Sequence, residues 1–386
     1  MSKIQRFIVI PILLCALLLP FFCLNATALS TDTPSLSAES AILLEAESAT
    51  VICEKNADCR LPMASTTKIM TALTALSLSA PDTEICIDAK AVGIEGSSIY
   101  LTEGERLTLE QLLYALLLES ANDAAAAIAI GLCGSIKGFA DEMNLLADKF
   151  SLKDTHFTNP HGLDDPDHYT TAKELALLTR YALQNDLIQT IVGTRKTTIP
   201  HASTEGYRLL INHNKLLRLY DGCIGVKTGF TKRSGRCLVS AAQKDGVTLI
   251  AVTLNAPNDW NDHTSLFNYG FSRYESITLC KAEKICHMLP VVGGNAESVM
   301  LCNTAPLCKV LPVNRGEISF VIEAPHFAYA DVVAGEIQGK VVFYCDIDGD
   351  GKQERIGSIE LVACSTVSKN APKSFWQRLL AFFGIN

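Results

Sequence analysis

Ser65 and Lys68 stand three residues apart, a spacing that on a helix sets a hydroxyl and an amine on one face, about 5–6 Å apart at Cβ. A serine hydroxyl is a weak nucleophile until a base takes its proton, and a lysine within that reach is such a base. Pro62 ahead of the pair, with Met70, Leu73 and Leu76 behind it at helical spacing, predicts a helix that buries one face. Ser65 then lies near the helix N-terminus, where free backbone N–H groups favour a developing negative charge. A Ser-x-x-Lys pattern by itself is common on surface helices, so its chemistry depends on its company.

Ser120-Ala121-Asn122 is the first companion. The amphipathic segment 108–118 precedes it, opened by Thr108-x-x-Gln111, which reads as a capping box, and the alanine-rich apolar segment 124–130 follows. A polar Ser-x-Asn pinched between two apolar helices is predicted to lie in a short buried connection. Its polar groups then need partners, which a catalytic cleft supplies. The plainer alternative is a helix N-cap by Ser120 or Asn122.

Lys227-Thr228-Gly229 is the second companion, at the end of a strand-like run, 223–226, that begins after the turn signal Asp221-Gly222. Two more such runs follow, 237–242 and 247–254, separated by the hairpin signal Asp245-Gly246. The triplet is therefore predicted on the edge of an antiparallel meander. A cation, a hydroxyl and a glycine on such an edge can receive an extended peptide that ends in a carboxylate.

The three motifs, in this order, resemble those of the penicillin-binding proteins and serine β-lactamases, although the middle one reads Ser-Ala-Asn where the pattern has Ser-Asp-Asn. Within that superfamily the chain is similar to the low-molecular-mass D-alanyl-D-alanine carboxypeptidases, the S11 family of serine peptidases. The blocks that carry the likeness are Glu54-Lys55-Asn56-Ala57-Asp58, Leu61-Pro62-Met63-Ala64-Ser65, Asn159-Pro160-His161-Gly162-Leu163, Asn212-His213-Asn214-Lys215-Leu216-Leu217 and Gly225-Val226-Lys227-Thr228-Gly229-Phe230-Thr231. The resemblance runs from about residue 41 to residue 255 and continues more weakly to the C-terminus.

That resemblance implies a set of roles. Ser65 attacks the carbonyl of a penultimate D-alanine and Lys68 accepts its proton. Lys68 must then be neutral part of the time, and a nearby cation such as Lys227 lowers its pKa. Ser120 relays a proton to the leaving amine, and Asn122 holds the substrate amide. Lys227 and Thr228, with Gly229 beside them, bind the terminal carboxylate, and the backbone N–H groups of Ser65 and Phe230 form the oxyanion hole. The implied partners are peptidoglycan stem peptides, with β-lactams as covalent inhibitors, and neither metal nor cofactor is expected. The implied fold is α+β: an antiparallel sheet with a helical cluster, like that of the serine β-lactamases and penicillin-binding proteins, plus a small β-rich C-terminal domain.

Two other functions share these motifs. A serine β-lactamase needs a water-activating carboxylate in a Glu-x-x-Leu-Asn segment. The nearest stretch here, Glu174-Leu175-Ala176-Leu177-Leu178, has helical periodicity instead. A non-catalytic wall-binding homologue would keep the fold but need not keep the catalytic residue types, all of which are present. His161 is read as architectural or cleft-lining, because Asn159-Pro160-His161-Gly162 is turn-like.

Length and composition agree with an exported two-domain protein. The chain has 386 residues, 48% of them hydrophobic, and a formal charge of -8, so no basic surplus exists to neutralise nucleic-acid phosphates. Lys3 and Arg6 precede the apolar stretch 7–24, and Ala26-Thr27-Ala28 offers a small-x-small cleavage site. Residues 1–28 are read as a signal peptide, with an uncleaved anchor as runner-up. Residues 29–39 form a linker, 40–275 the catalytic domain, 276–364 the β-rich domain and 365–386 a linker with an amphipathic helix. In that helix Phe375, Trp376, Leu379, Leu380 and Phe383 share one face and Lys373 and Arg378 are the cations, which suits a membrane surface. The protein is thus expected on the outer face of the cytoplasmic membrane or in the cell wall.

Fourteen cysteines include three Cys-x5-Cys spacings, Cys53/Cys59, Cys280/Cys286 and Cys302/Cys308, compatible with disulfides or with free thiols. Asp346-Ile347-Asp348-Gly349-Asp350-Gly351 opens like a calcium loop, but Gly357 stands where the last ligand belongs, so it is read as a hairpin turn.

Overall fold

The computed structural model describes residues 33–201 and 206–370. The signal-peptide segment and the helix expected over 373–386 lie outside them.

The chain opens with the hairpin β1 (Ser40–Glu45) and β2 (Val51–Lys55), then enters a helical cluster. This comprises α1 (Lys68–Leu78), the short pair β3 (Glu84–Cys86) and β4 (Arg106–Thr108), α2 (Leu109–Leu118), α3 (Asn122–Cys133), α4 (Ile136–Lys149), α5 (Ala172–Ala182) and α6 (Asp186–Gly193). A second short pair, β5 (Lys196–Pro200) and β6 (Tyr207–Ile211), and the turn α7 (Leu216–Leu219) lead to the meander β7 (Cys223–Thr231), β8 (Gly235–Lys244) and β9 (Val247–Leu254). Helix α8 (Asp259–Arg273) closes this part.

β1 and the meander join into one antiparallel five-stranded sheet, ordered β2-β1-β9-β8-β7. It is buried on both faces, which its sequence dictates. Ile250 and Val252 of β9 point into the core shared with the helical cluster, while Leu249 and Ala251 point into the core shared with Leu266 and Phe267 of α8. β7 is an edge strand. It runs through to Thr231, so Lys227, Thr228 and Gly229 lie within the strand and not past its end. The β8–β9 turn is made by Asp245 and Gly246, both at positive φ, as a two-residue hairpin of that sequence requires.

The C-terminal part begins without a break, since β10 (Tyr274–Cys280) follows α8 directly and pairs with β13 (Leu307–Pro312). A six-stranded sheet is built from β11 (Cys286–Val292), β12 (Ser298–Cys302), β14 (Ile318–Glu323), β15 (Ala328–Tyr329), β16 (Ile337–Cys345) and β17 (Glu354–Ala363), in the order β14-β16-β17-β12-β11-β15. Residues 346–351 form the β16–β17 hairpin turn, where Asp346 accepts from the Gly349 and Gly351 amides.

Two segments expected to be linkers are bound along part of their length. In the first, Ala38 is buried and Asp262 of α8 accepts from the Ser37 and Ala38 amides at 3.0 and 3.1 Å. In the second, Val367 is buried and bridged to Val332, and Lys369 is bridged to Gly294. Polar composition suggested solvated chain, but a few apolar and hydrogen-bonding side chains suffice to dock each strip.

Candidate active site

Ser65 sits in a 3-10 turn, Ala64–Thr67, that runs into α1. The turn is tight, with Ala64 at φ +47°, and two glycines let other backbone close on it. Gly162, at φ +86°, packs so near that a Cβ would overlap the Ala64 carbonyl. A Cβ on Gly229 would stand 3.0 Å from the Ser65 nitrogen. These approaches bring the 158–163 loop and strand β7 both against the turn that carries the serine.

Lys68 is fully buried, and its surroundings dictate what it can do. Its Nζ lies 2.9 Å from Ser65 Oγ, 2.7 Å from Asn122 Oδ1 and 2.5 Å from the His161 carbonyl oxygen. The orientation of the Asn122 amide is fixed by its other end, where Nδ2 donates to the Glu95 carbonyl at 2.5 Å. Both Asn122 Oδ1 and His161 O can only accept. A neutral amine has two N–H groups for those oxygens, which leaves its lone pair for the serine hydroxyl. Burial holds the Lys68 ammonium well below its ordinary range, the Lys227 charge lowers it further, and Asp123 opposes both.

Ser120 and Asn122 lie where the α2–α3 connection passes through the core. The Thr108–Gln111 capping box starts α2 and is formed on both sides. Ser120 is buried at φ +60°, and Asn122 opens α3 with its amide donating to the Ser97 carbonyl at 2.7 Å. Asp123 accepts from Ser98 Oγ and from the Ile99 and Leu101 amides, so it fixes the loop that carries Ser97 to the cleft.

Lys227 is buried, and burial pushes its amine down to about 7, with Glu119 pulling the other way. Its Nζ donates to the Thr228 carbonyl at 2.9 Å. Ser65, Ser120, Thr228, Gly229 and Phe230 line one open cleft of about 350 Å³. Its rim adds residues that sequence reasoning did not select: Ser97, His213, Lys215, Arg236, Asp259 and Trp260. His213 pairs with Glu119 at 3.1 Å, and Arg236 pairs with Asp259 at 2.9 Å while lying over the Trp260 ring. His213 and Lys215 sit in a block quoted from sequence, whereas Arg236 carried no signal there.

His161 contributes its carbonyl, not its ring, to the site. Burial, the Lys68 charge and His168 lower its imidazole to about 3, so the ring is neutral. Glu174 is occupied elsewhere, accepting from the Asp154 amide and from Thr155 Oγ1 near the start of α5. Among the described residues no cluster of His, Cys, Asp or Glu is arranged to hold a metal ion.

The fold and this cleft define a class, the active-serine acyl-transfer enzymes of the penicillin-binding-protein type. Residues 27–258 match the D-alanyl-D-alanine carboxypeptidase family. D-alanyl-D-alanine carboxypeptidase DacF of Bacillus subtilis is 34% identical over 267 residues, which cover 67% of this chain and 68% of that protein. The D-alanyl-D-alanine carboxypeptidase of Streptomyces sp. K15 is 33% identical over 273 residues, covering 64% of this chain and 92% of that one. Penicillin-binding protein 5 from Haemophilus influenzae superposes with a TM-score of 0.68 at 25% identity, covering 88% of this chain and all of that structure. The chain belongs to the D-alanyl-D-alanine carboxypeptidase family of serine peptidases.

Proposed function

We propose that this protein removes the terminal D-alanine from peptidoglycan stem peptides through an acyl-enzyme on Ser65, and that β-lactams acylate the same serine. The observation that carries the assignment is the Lys68 environment. Its Nζ lies 2.9 Å from the Ser65 hydroxyl and within reach of two carbonyl acceptors, so in the neutral form those acceptors take its N–H groups and its lone pair is left for the hydroxyl.

Lys68 takes the Ser65 proton as the hydroxyl attacks the penultimate D-alanine carbonyl. The Ser65 and Phe230 amides receive the oxyanion, since the turn and β7 meet at Gly229 beside the Ser65 nitrogen. Ser120 passes a proton to the departing D-alanine nitrogen, and Asn122 holds the substrate amide while it fixes Lys68. Lys227 and Thr228 bind the terminal carboxylate, with Gly229 beside them in the strand. A carboxylate beside Lys227 favours its charged form, so binding itself restores the cation that burial suppresses. Water then hydrolyses the acyl-enzyme.

The organisation we propose is a catalytic domain over 40–275, a β-rich spacer or protein-contact module over 276–364, an export signal at 1–28 and a membrane-surface helix within 365–386. It places the enzyme at the outer face of the cytoplasmic membrane or in the wall. Among the described residues no single helix is long and apolar enough to cross a bilayer.

The deciding experiment measures D-alanine release from a peptide ending in D-Ala-D-Ala, for the purified protein and its Ser65→Ala variant. Serine-dependent release is expected. Release that survives Ser65→Ala, or penicillin labelling without any release, would remove the assignment.

A further inference from the structure

We propose that Cys302 and Cys364 are a disulfide site that staples the two halves of the C-terminal sheet, with Cys286 as the thiol that exchanges into it. The pairing differs from the five-residue spacings evident in the sequence, because strand register, not chain proximity, brings the sulfurs together.

Cys302 ends β12 opposite Cys286 of β11 on one side and opposite Val362 of β17 on the other. One step past β17, the Cys364 amide donates to the Met300 carbonyl at 2.8 Å, so the ladder continues and Cys364 stands diagonally across from Cys302. Paired strand residues share a face, and residues two apart along a strand share it too. Cys286, Cys302 and Cys364 therefore form a row across three strands. The Cys302 and Cys364 sulfurs are 2.7 Å apart. Cys286 and Cys364 are exposed and Cys302 is half-buried, so a small disulfide reagent can reach the row.

The location gives the bond a purpose. β16 and β17 are joined along most of their length, from Ile337↔Val362 to Cys345↔Glu354. β12 and β17 share the pairs Leu301↔Ala363 and Cys302↔Val362, extended by the single Cys364–Met300 hydrogen bond. That short ladder is the seam between β14-β16-β17 and β12-β11-β15. A Cys302–Cys364 bond closes it covalently, at the point where the chain leaves the sheet towards residue 370.

Formation needs an oxidant, here a disulfide of the glutathione class. A thiolate of the pair attacks it to give a mixed disulfide and one reduced thiol. The second cysteine then displaces the other glutathione, so two thiols lose two protons and two electrons while one disulfide is reduced. In exchange, the Cys286 thiolate attacks the Cys302 sulfur and Cys364 leaves as thiolate.

The test uses the full chain, reduced, then treated with oxidised glutathione, alkylated, digested without reduction and mapped by mass spectrometry. The expected map joins the Cys302 and Cys364 peptides and shows Cys286 alkylated. Alkylation of both Cys302 and Cys364 after oxidation, or their pairing with other cysteines, overturns the site. In Cys364→Ser the link is expected to move to Cys286–Cys302, and its absence removes the exchange role. Oxidation is expected to raise the melting temperature of the wild type and not that of a Cys302→Ser/Cys364→Ser double variant. An equal rise in both would show that the seam is not what the bond stabilises.

Discussion

Asn122 Oδ1 accepts from Lys68 Nζ at 2.7 Å, so one side-chain contact ties the helix behind the nucleophile to the helix behind the Ser-Ala-Asn turn. Since Asn122 also anchors to the Glu95 carbonyl, Lys68 is aimed by a network whose far end is backbone. The base proposed for Ser65 is thus held by groups that cannot themselves take or give its proton.

Replacing Asn122 by Asp tests this. A carboxylate against Lys68 favours the ammonium form, so the lysine pKa rises. Acylation by a fluorescent penicillin is expected to fall by about 10²–10⁴ near neutrality, the usual loss when a general base is disabled, and to recover in part at alkaline pH. An unchanged pH profile would separate Asn122 from the protonation of Lys68.

Lys68→Met should also reduce acylation by about 10²–10⁴. Because the binding groups on β7 are untouched, the loss is expected in kcat far more than in KM. A loss confined to KM would show that Lys68 binds and does not take the proton.

Stability should depend on pH through Lys227. Its amine titrates near 7 in the fold against 10.5 when unfolded. Between those values the unfolded chain binds the extra proton, so stability rises with pH. The slope from this residue is at most ~1.4 kcal/mol per pH unit. In Lys227→Met the urea midpoint is expected to rise near neutrality and its slope up to about pH 9 to flatten, without vanishing because Lys68 is shifted the same way. An unaltered slope would mean that Lys227 is not suppressed by burial.

Acid should act through three buried histidines. His161 and His263 are lowered to about 3 and His168 to about 4, each chiefly by burial. Protons bind the unfolded chain first as pH falls through 6.5, so stability is lost from there towards the folded values. His263 is held between Ser240 and Thr253, at hydrogen-bond distance from both hydroxyls. A His263→Gln variant is expected to lose up to ~1.4 kcal/mol per pH unit of that slope, read from urea midpoints between about pH 7 and 5.

Gly162→Ala and Gly104→Ala separate backbone strain from crowding. Both glycines have positive φ, +86° and +79°, but a Cβ at Gly104 meets nothing while one at Gly162 strikes the Ala64 carbonyl. Gly104→Ala is expected to cost about 1–3 kcal/mol of stability with full penicillin labelling. Gly162→Ala should cost more and also slow labelling, since the turn that carries Ser65 must shift.

The legible parts of this chain were the local ones. Thr108 with Gln111 and Asp245 with Gly246 act on their own neighbours, so their spacing announces a helix start and a hairpin. The motif residues were visible by type, and the structure brings Ser65, Ser120 and Thr228 to one cleft. The carbonyls of Glu95 and His161 were not visible, because a backbone acceptor has no side-chain signature. Arg236, Asp259 and Trp260 meet only when β8 and α8 pack. β11 and β13 carry little strand signal, because short runs interrupted by Cys, Lys or Pro show little alternation.

β7 is a sheet edge, and an open edge invites another chain to add itself as the next strand. Here the Ala64–Thr67 turn and helix α6 both pack against β7, leaving the cleft at Thr228–Phe230 as the accessible stretch. Only this short stretch of the edge is left open to strand addition, and it is the stretch proposed to receive the end of a peptide.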